Sequence, residues 1–164
     1  MIVSGCFGLG MWYRAQFNGR IRAIHTLQRI LELLSGEVRY GRATLPECCG
    51  HIAKYLEPPF GETLREIEKE MGENTGESFG EIFCRRTEEA LKKLPLKAED
   101  REMFLRFAKQ TGFADGQMQL KALEQSMGLL RAAEEKLESE NAGKCRMAVG
   151  LGAMSGMLLI LILL

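Results

Sequence analysis

The stretch SGEVRYGRATLPE, residues 35–47, decides how the chain folds, because one helical pattern ends within it and another begins. Gly41 closes the first pattern, and a glycine at such a position predicts a helix end in the left-handed conformation. Thr44 and Glu47 have the spacing of a capping box, and Pro46 stands in the first turn, where its missing N–H does no harm. The stretch therefore predicts a sharp corner between two helices.

Apolar residues recur at intervals of three and four on both sides of this corner, which indicates helices with one buried face. The stripe before the corner consists of Ile21, Ile24, Leu27, Leu31, Leu34 and Val38. The late stripe consists of Leu120, Leu123, Met127, Leu130 and Leu137. Helices of about 40 Å for residues 14–40 and about 46 Å for residues 116–146 can pack antiparallel over most of their length.

The region between the stripes predicts short helices. Ser78 and Glu81 repeat the capping-box spacing, Gly112 can end a helix, and Asp115 can cap the last one. Proline is rare and strand-like alternation is absent. We therefore predict an all-α fold of about six helices, with long first and last helices packed antiparallel, short helices at the distal end, and a C-terminal transmembrane helix.

Residues 147–164 carry no Lys, Arg, Asp or Glu and would span about 27 Å as a helix, close to the roughly 30 Å hydrocarbon core of a bilayer. Lys144 and Arg146 precede this transmembrane candidate, so the positive-inside rule places the preceding domain in the cytoplasm. One face of the candidate helix carries small residues that allow a second helix to approach closely, and hence a homo-oligomer. These residues are Ala148, Gly152 and Gly156.

Residues 1–13 are uncharged as well, but a helix of roughly 20 Å is too short to cross a bilayer alone. We expect a short or truncated membrane segment here. The following Arg14, Arg20 and Arg22 are expected on the cytoplasmic side, and together with Arg29 they are expected to contact lipid headgroups. The predicted domains are the N-terminal segment 1–13, the cytoplasmic helical domain 14–146 and the transmembrane helix 147–164.

The sequence offers little support for catalysis or for nucleic-acid binding. The 22 basic and 22 acidic residues cancel, so no global field favours nucleic acid. Phosphate-binding, hydrolase and zinc-protease motifs are absent, and the five cysteines lack C-x-x-C spacing. We predict no cofactor, no metal and no enzyme activity. A catalytic site would have to be assembled in three dimensions from residues such as Glu37, Tyr40 and His51.

Two stretches, LELLSGEVRYGRATLPECCGHIA and LKAEDREMFLRFAKQTGFADGQMQ, resemble the stage III sporulation protein AB family of endospore-forming bacteria. The matching residues of the first are Leu31, Leu34, Glu37, Tyr40, Gly41, Thr44, Leu45, Pro46, Glu47, Ile52 and Ala53, and those of the second are Leu96, Leu105, Phe107, Gly112, Asp115 and Gln119. The resemblance covers nearly the whole chain. It departs at the N-terminus, since the family normally begins with a full membrane helix.

The resemblance implies a platform component of a sporulation channel, a secretion-like complex between mother cell and forespore, located in the mother-cell membrane with its helical domain in the cytoplasm. That domain is similar to the F domains of type II secretion platforms, so a secretion-type ATPase and other channel subunits are the implied partners. The candidate interface at the corner comprises Glu37, Tyr40, Arg42, Thr44 and Glu47. The alternative is a membrane-tethered regulatory adaptor that binds a cytoplasmic signalling protein.

Overall fold

The computed structural model describes the backbone of residues 2–41, 43–73, 76–110 and 116–163, and the side chains of residues 18–41, 43–73, 76–110 and 116–139. Within these ranges the chain forms six α-helices, one 3₁₀ turn and no strand. The helices are α1 (Ile2–Tyr40), α2 (Leu45–Ile52), α3 (Phe60–Gly72), α4 (Phe79–Lys92), α5 (Ala98–Gln110) and α6 (Gly116–Leu163), and the 3₁₀ turn is Ala53–Tyr55. The predicted all-α fold is confirmed.

The chain divides into a first unit of residues 1–131 and a second unit of residues 132–164. The first unit holds α1 to α5 and the beginning of α6, and every contact described below lies within it. The second unit is the remainder of α6. The domain boundaries expected at residues 13 and 146 stay predictions.

Two ion pairs show how α1 and the first part of α6 run. Arg39 Nη2 lies 2.7 Å from Glu124 Oε1, and Arg131 Nη2 lies 3.0 Å from Glu32 Oε1. Seven residues forward along α1, from 32 to 39, thus correspond to seven residues backward along α6, from 131 to 124. The two helices are antiparallel, as the stripes predicted.

The predicted stripes are buried at their centres and only partly buried at their edges. Burial is complete for Ile24, Leu27, Leu31 and Leu34 of α1 and for Leu123 and Leu130 of α6. The remaining members of the stripes in the first unit are half-buried: Ile21, Val38, Leu120 and Met127. Ile30 is fully buried as well, so the face that α1 presents to the core is wider than the predicted seam.

Four phenylalanines tie α4 to α5. The ring of Phe83 lies 5.0 Å from that of Phe107, 6.0 Å from that of Phe104 and 5.5 Å from that of Phe79, measured between centroids. The Phe83 and Phe107 rings meet edge to face, with an angle of 72° between their planes. Such pairs contribute beyond the burial of their apolar area.

The short helices form a chain of contacts that begins at α1 and returns to it. They pack in chain order, with α2 against α1 and α3, α3 against α4, and α4 against α5. The loop from α4 to α5 returns to the first turns of the described part of α1, where a Cβ added to Gly19 would lie 3.3 Å from Cγ of Pro95. Gly19 and Gly41 are about 33 Å apart along a helix. The short helices therefore extend well beyond the distal end at which the sequence placed them.

A bidentate ion pair holds the start of α5 against α1. Arg20 donates from Nε to Asp100 Oδ2 at 2.8 Å and from Nη2 to Asp100 Oδ1 at 2.9 Å. Asp100 is only 1% exposed, and its Oδ2 also accepts the backbone N–H of Lys97 at 2.9 Å. The expectation that Arg20 contacts lipid headgroups is wrong, because its guanidinium is committed to α5.

In the part of the chain whose side chains the structure describes, no helix combines the length and the apolar character needed to cross a membrane. The predicted membrane segments, residues 1–13 and 147–164, lie outside that part. The predicted helix-packing residues Ala148, Gly152 and Gly156 do so too.

Candidate partner-binding site

The corner between α1 and α2 is formed by a glycine, but not for the predicted reason. The N–H of Gly41 donates to the carbonyl oxygen of Glu37 at 2.7 Å, which continues the helical bonding pattern by one residue. Gly41 does not adopt the predicted left-handed conformation; among the described glycines only Gly76 has a positive φ, at 81°. A Cβ at position 41 would lie 2.5 Å from the carbonyl oxygen of Glu37. Close backbone approach therefore accounts for the glycine.

The predicted capping box at the start of α2 is confirmed. Both the backbone N–H and the hydroxyl of Thr44 donate to Oε2 of Glu47, at 2.7 and 2.9 Å. These hydrogen bonds, the backbone bond first, hold the pKa of the Glu47 carboxyl below its usual value. Pro46 lies in the first turn, and Ser78 and Glu81 form the second predicted box at the start of α4.

An open groove of about 890 Å³ lies beside this corner. Residues from the ends of α1 and α3 and from the starts of α2, α4 and α6 line it, so five helices contribute to one surface. Its side chains include Thr44, Pro46, Glu47, Glu68, Met71 and Phe79. The groove therefore combines apolar side chains with two carboxylates.

Glu68 occupies an unusual place in this groove. Its half-buried carboxylate lies directly over Gly50 of α2, where an added Cβ would be only 1.9 Å from Oε2. The missing side chain of Gly50 thus makes room for the acid. Among the residues that the structure describes, the Glu68 carboxylate forms neither a hydrogen bond nor an ion pair. The groove therefore holds one carboxylate that has no partner among the described residues.

Glu70, two residues further along α3, has the opposite environment. Arg85 Nη2 donates to Glu70 Oε1 at 2.6 Å, and Arg86 Nε donates to Glu70 Oε2 at 2.7 Å. These hydrogen bonds, that of Arg85 first, lower the pKa of the Glu70 carboxyl. Arg85 also binds Glu77 at 2.5 Å. Glu70 and Glu66 of α3 thus have arginine partners, whereas Glu68 has none among the described residues.

The three residues that sequence reasoning offered for catalysis do not form a protected site. Nδ1 of His51 lies 3.1 Å from Oε2 of Glu37, but both side chains contact solvent. Tyr40 is 86% exposed. An exposed pair lacks the desolvation on which general acid–base sites depend. Within the described ranges, no three His, Cys, Asp or Glu side chains are grouped so as to hold a metal ion.

The buried cysteines of α2 are poorly suited to nucleophilic chemistry. Burial is the main cause that raises the pKa of the Cys48 thiol to about 11, and it raises the pKa of the Cys49 thiol still further. Both are free thiols, as is the half-buried Cys84. At neutral pH these groups are protonated and act as small apolar side chains of the core.

The predicted interface residues have different positions in the structure. Thr44 and Glu47 line the groove, whereas Glu37 pairs with His51 and Tyr40 is exposed next to the lining residue Gly41. The other predicted residues of the interface and its motif lie outside the described residues: Arg42, Gly112 and Asp115. Their assignment to a partner interface stays a prediction.

Sequence reasoning missed Glu68 and Phe79. A signal for Glu68 was present, because Leu64, Glu68 and Met71 stand at helical spacings and place a carboxylate at the edge of the apolar face of α3. Phe79 directly follows the capping residue Ser78, and no local pattern indicated that it would reach a groove formed with α2.

Comparison with known proteins places this architecture. The family model described as "Stage III sporulation protein AB" matches residues 1–164. A solved structure of a stage III sporulation protein AB is similar with a TM-score of 0.66 and 23% sequence identity, covering 76% of this chain and 98% of the other. That similarity shows a common fold. A search of curated proteins gives no match. Because the family model matches residues 1–164, the chain belongs to the stage III sporulation protein AB family.

Proposed function

We propose that the protein is a non-enzymatic platform component of a sporulation complex and that it couples a secretion-type ATPase to the other subunits of a channel between mother cell and forespore. Membership of a sporulation protein family supports a role in sporulation. The resemblance to the F domains of type II secretion platforms supports the kind of partner. The residues of the α1–α2 corner supply the docking surface.

The open groove at this corner is the observation that carries the proposal. Five helices converge on it, and it combines apolar side chains with the carboxylates of Glu47 and Glu68. A surface of this kind suits a protein segment, because apolar contacts provide affinity and charged groups provide orientation. Tyr40, exposed beside Gly41, adds an aromatic side chain of the type enriched at the centres of interfaces.

The test is affinity purification of the tagged full chain from sporulating cells, with the secretion-type ATPase quantified by mass spectrometry. We expect wild type to recover the ATPase and Tyr40→Ala to recover about tenfold less, as for the loss of an aromatic interface anchor. Tyr55→Ala is the matched control, since Tyr55 is 67% exposed and follows α2 outside the groove. Recovery of a signalling protein without any ATPase would favour the regulatory adaptor instead.

Anchoring in the mother-cell membrane is part of the same proposal. It is supported by the uncharged run of residues 147–164 and by the basic residues Lys144 and Arg146 that precede it. A fluorescent fusion of the full chain should outline the mother-cell membrane, and deletion of both predicted membrane segments, residues 1–13 and 147–164, should release it into the cytoplasm. A deleted variant that stays at the membrane would contradict this part of the proposal.

A further inference from the structure

We propose that the groove at the α1–α2 corner receives a basic segment of the partner, which presents a Lys or Arg side chain to Glu68 and apolar side chains to the walls. The inference deepens the proposed function by naming the chemistry of the docked segment. It rests on that function only for the identity of the partner as an ATPase.

The first step is the carboxylate of Glu68, for which the described part of the chain supplies no partner. A half-buried carboxylate without a hydrogen-bond donor is less stable than one in water or in an ion pair. The carboxylate lies over the Cα of Gly50, and Glu68 is one of the residues that line the groove. A cationic donor that enters the groove would therefore form a charge-assisted hydrogen bond without displacing an internal partner.

The second step is the sign of charge around the groove. The charged residues among its described lining are both glutamates, Glu47 and Glu68. Arg39, which is close in sequence to the lining residues of α1, is already bound to Glu124 at 2.7 Å. The described lining therefore favours a basic partner and disfavours an acidic one.

The third step concerns the helix ends that meet at the groove. The ends of α1 and α3 line it with Gly41, Met71 and Gly72, and the carbonyl end of a helix favours cations. The starts of α2 and α4 would favour anions, but Glu47 and Glu81 already occupy these positions as capping residues. The start of α6 also lines the groove and has no acidic residue in its first turn, so the helix dipoles do not decide the sign of the partner's charge, and the preference for a cation rests on the two carboxylates.

The apolar requirement follows from the walls and the neighbouring exposed side chains. Leu45, Met71 and Phe79 contribute to the lining. Tyr40 adjoins the lining residue Gly41, and Met118 adjoins the lining residue Gln119; both are among the exposed large hydrophobic residues of the described chain. Apolar side chains beside the cation would cover this surface, and a flexible methionine adapts to such a partner.

Site-specific photo-crosslinking identifies the occupant. A photo-crosslinking amino acid replaces Met118 in the full chain, and the crosslinked partner segment is sequenced by mass spectrometry from sporulating cells. The matched control places the same amino acid at the exposed Tyr55. We expect Met118 to crosslink to a segment that contains at least one Lys or Arg beside apolar residues, and Tyr55 not to do so.

Charge exchange then tests Glu68 itself. Glu68→Gln, which keeps the shape of the side chain, should reduce partner recovery about tenfold, and Glu68→Lys should reduce it further. Reversing the crosslinked Lys or Arg to Glu should restore recovery with Glu68→Lys. Glu62→Lys is the control for charge, because Glu62 is exposed on α3 outside the groove. Unchanged melting temperatures of Glu68→Gln and Glu62→Lys show that folding is intact.

The outcomes separate this inference from the proposed function. Crosslinking to an acidic or neutral segment, to lipid or to a second copy of the chain would overturn the inference. So would full recovery with Glu68→Gln, even if Tyr40→Ala still lost the ATPase, and the proposed function would then stand alone. Crosslinking to a basic segment of a different protein would support the inference and contradict the ATPase.

Discussion

The two ends of the described part of α1 differ in whether a nearby carboxylate has a partner. At Arg20 the guanidinium and the Asp100 carboxylate form two parallel hydrogen bonds, and Asp100 is also bonded to the backbone of Lys97. At the other end Tyr40 is exposed, and the Glu68 carboxylate beside the corner has no partner among the described residues. The charges at the first end, Arg20 and Asp100, are paired with each other, whereas Glu68 at the other end lines a groove.

This difference indicates which end serves stability and which serves binding. A buried ion pair that loses one member leaves an uncompensated charge in the core, so the Arg20 end should tolerate little change. An accessible, unpaired carboxylate contributes little to folding, so it can be changed without unfolding the protein. Changes at the two ends should therefore separate stability from binding.

The largest effect should come from Asp100→Ala. The substitution leaves Arg20 without its partner and removes the acceptor of the Lys97 N–H, which should cost about 3–5 kcal/mol and lower the Tm by on the order of 10 °C. Thermal unfolding of the full chain measures this. Glu99→Ala, at an exposed neighbouring position, should change stability by less than about 0.5 kcal/mol. Equal melting of the two variants would show that the Arg20 end is not closed by this pair.

The next effect tests the geometry of the corner. Gly41→Ala places a methyl group 2.5 Å from the carbonyl oxygen of Glu37, so the backbone must shift, at a cost of about 1–3 kcal/mol. Gly36→Ala is its control in the same helix, because a Cβ there meets nothing within 4 Å. That change should stabilise by about 0.5–1 kcal/mol through helix propensity. Urea unfolding of both variants should show shifts of opposite sign.

A smaller loss is expected from the cap of α2. Thr44→Ala removes the hydroxyl that donates to Glu47, and the lost cap should cost about 1 kcal/mol. Thr44→Ser keeps the hydroxyl and should melt close to wild type. If both variants melted alike and well below wild type, packing of the Thr44 methyl group rather than the cap would be responsible.

The smallest effect should appear in acid. Hydrogen bonds from Ser78, that of its hydroxyl first, lower the pKa of the Glu81 carboxyl from its ordinary 4.5, so the folded state binds a proton less readily than the unfolded state. The resulting stabilisation is complete above about pH 4.5 and is lost as the pH falls through the folded-state pKa. Glu81→Gln keeps a capping side chain that does not titrate. Its Tm should fall less than that of wild type between pH 5 and 3 (roughly the titration range of carboxyls).

Local patterns allowed much of the fold to be predicted. The apolar spacing of Ile24, Leu27 and Leu31 identified the buried face of α1, because a helix brings residues three and four apart to one side. The capping boxes at Thr44 and Ser78 could also be predicted, since every group in such a box lies within four residues. Features determined by neighbours in sequence could be predicted.

The remaining features depend on tertiary contacts or on ambiguous signals. Arg20 and Asp100 are 80 residues apart, and no spacing rule links them. Gly41 was assigned the wrong conformation because glycine serves close backbone approach as well as positive φ, and the sequence does not distinguish these uses. Of the groove lining, the predicted interface contained only Thr44 and Glu47, since the full surface exists only where five helices meet. The position of Glu68 on the apolar face of α3 was a usable signal.

Because Glu47 caps α2, the two groove carboxylates differ in how readily they can bind a cation. Oε2 of Glu47 accepts both donors of Thr44, so a cation that drew this carboxylate away would loosen the first turn of α2. Thermodynamic reciprocity then requires that loosening this turn alters docking by the same factor. Among the described residues, the Glu68 carboxylate forms no such capping hydrogen bond. Substitution at position 47 should therefore change folding and binding together, whereas substitution at position 68 leaves the cap of α2 intact.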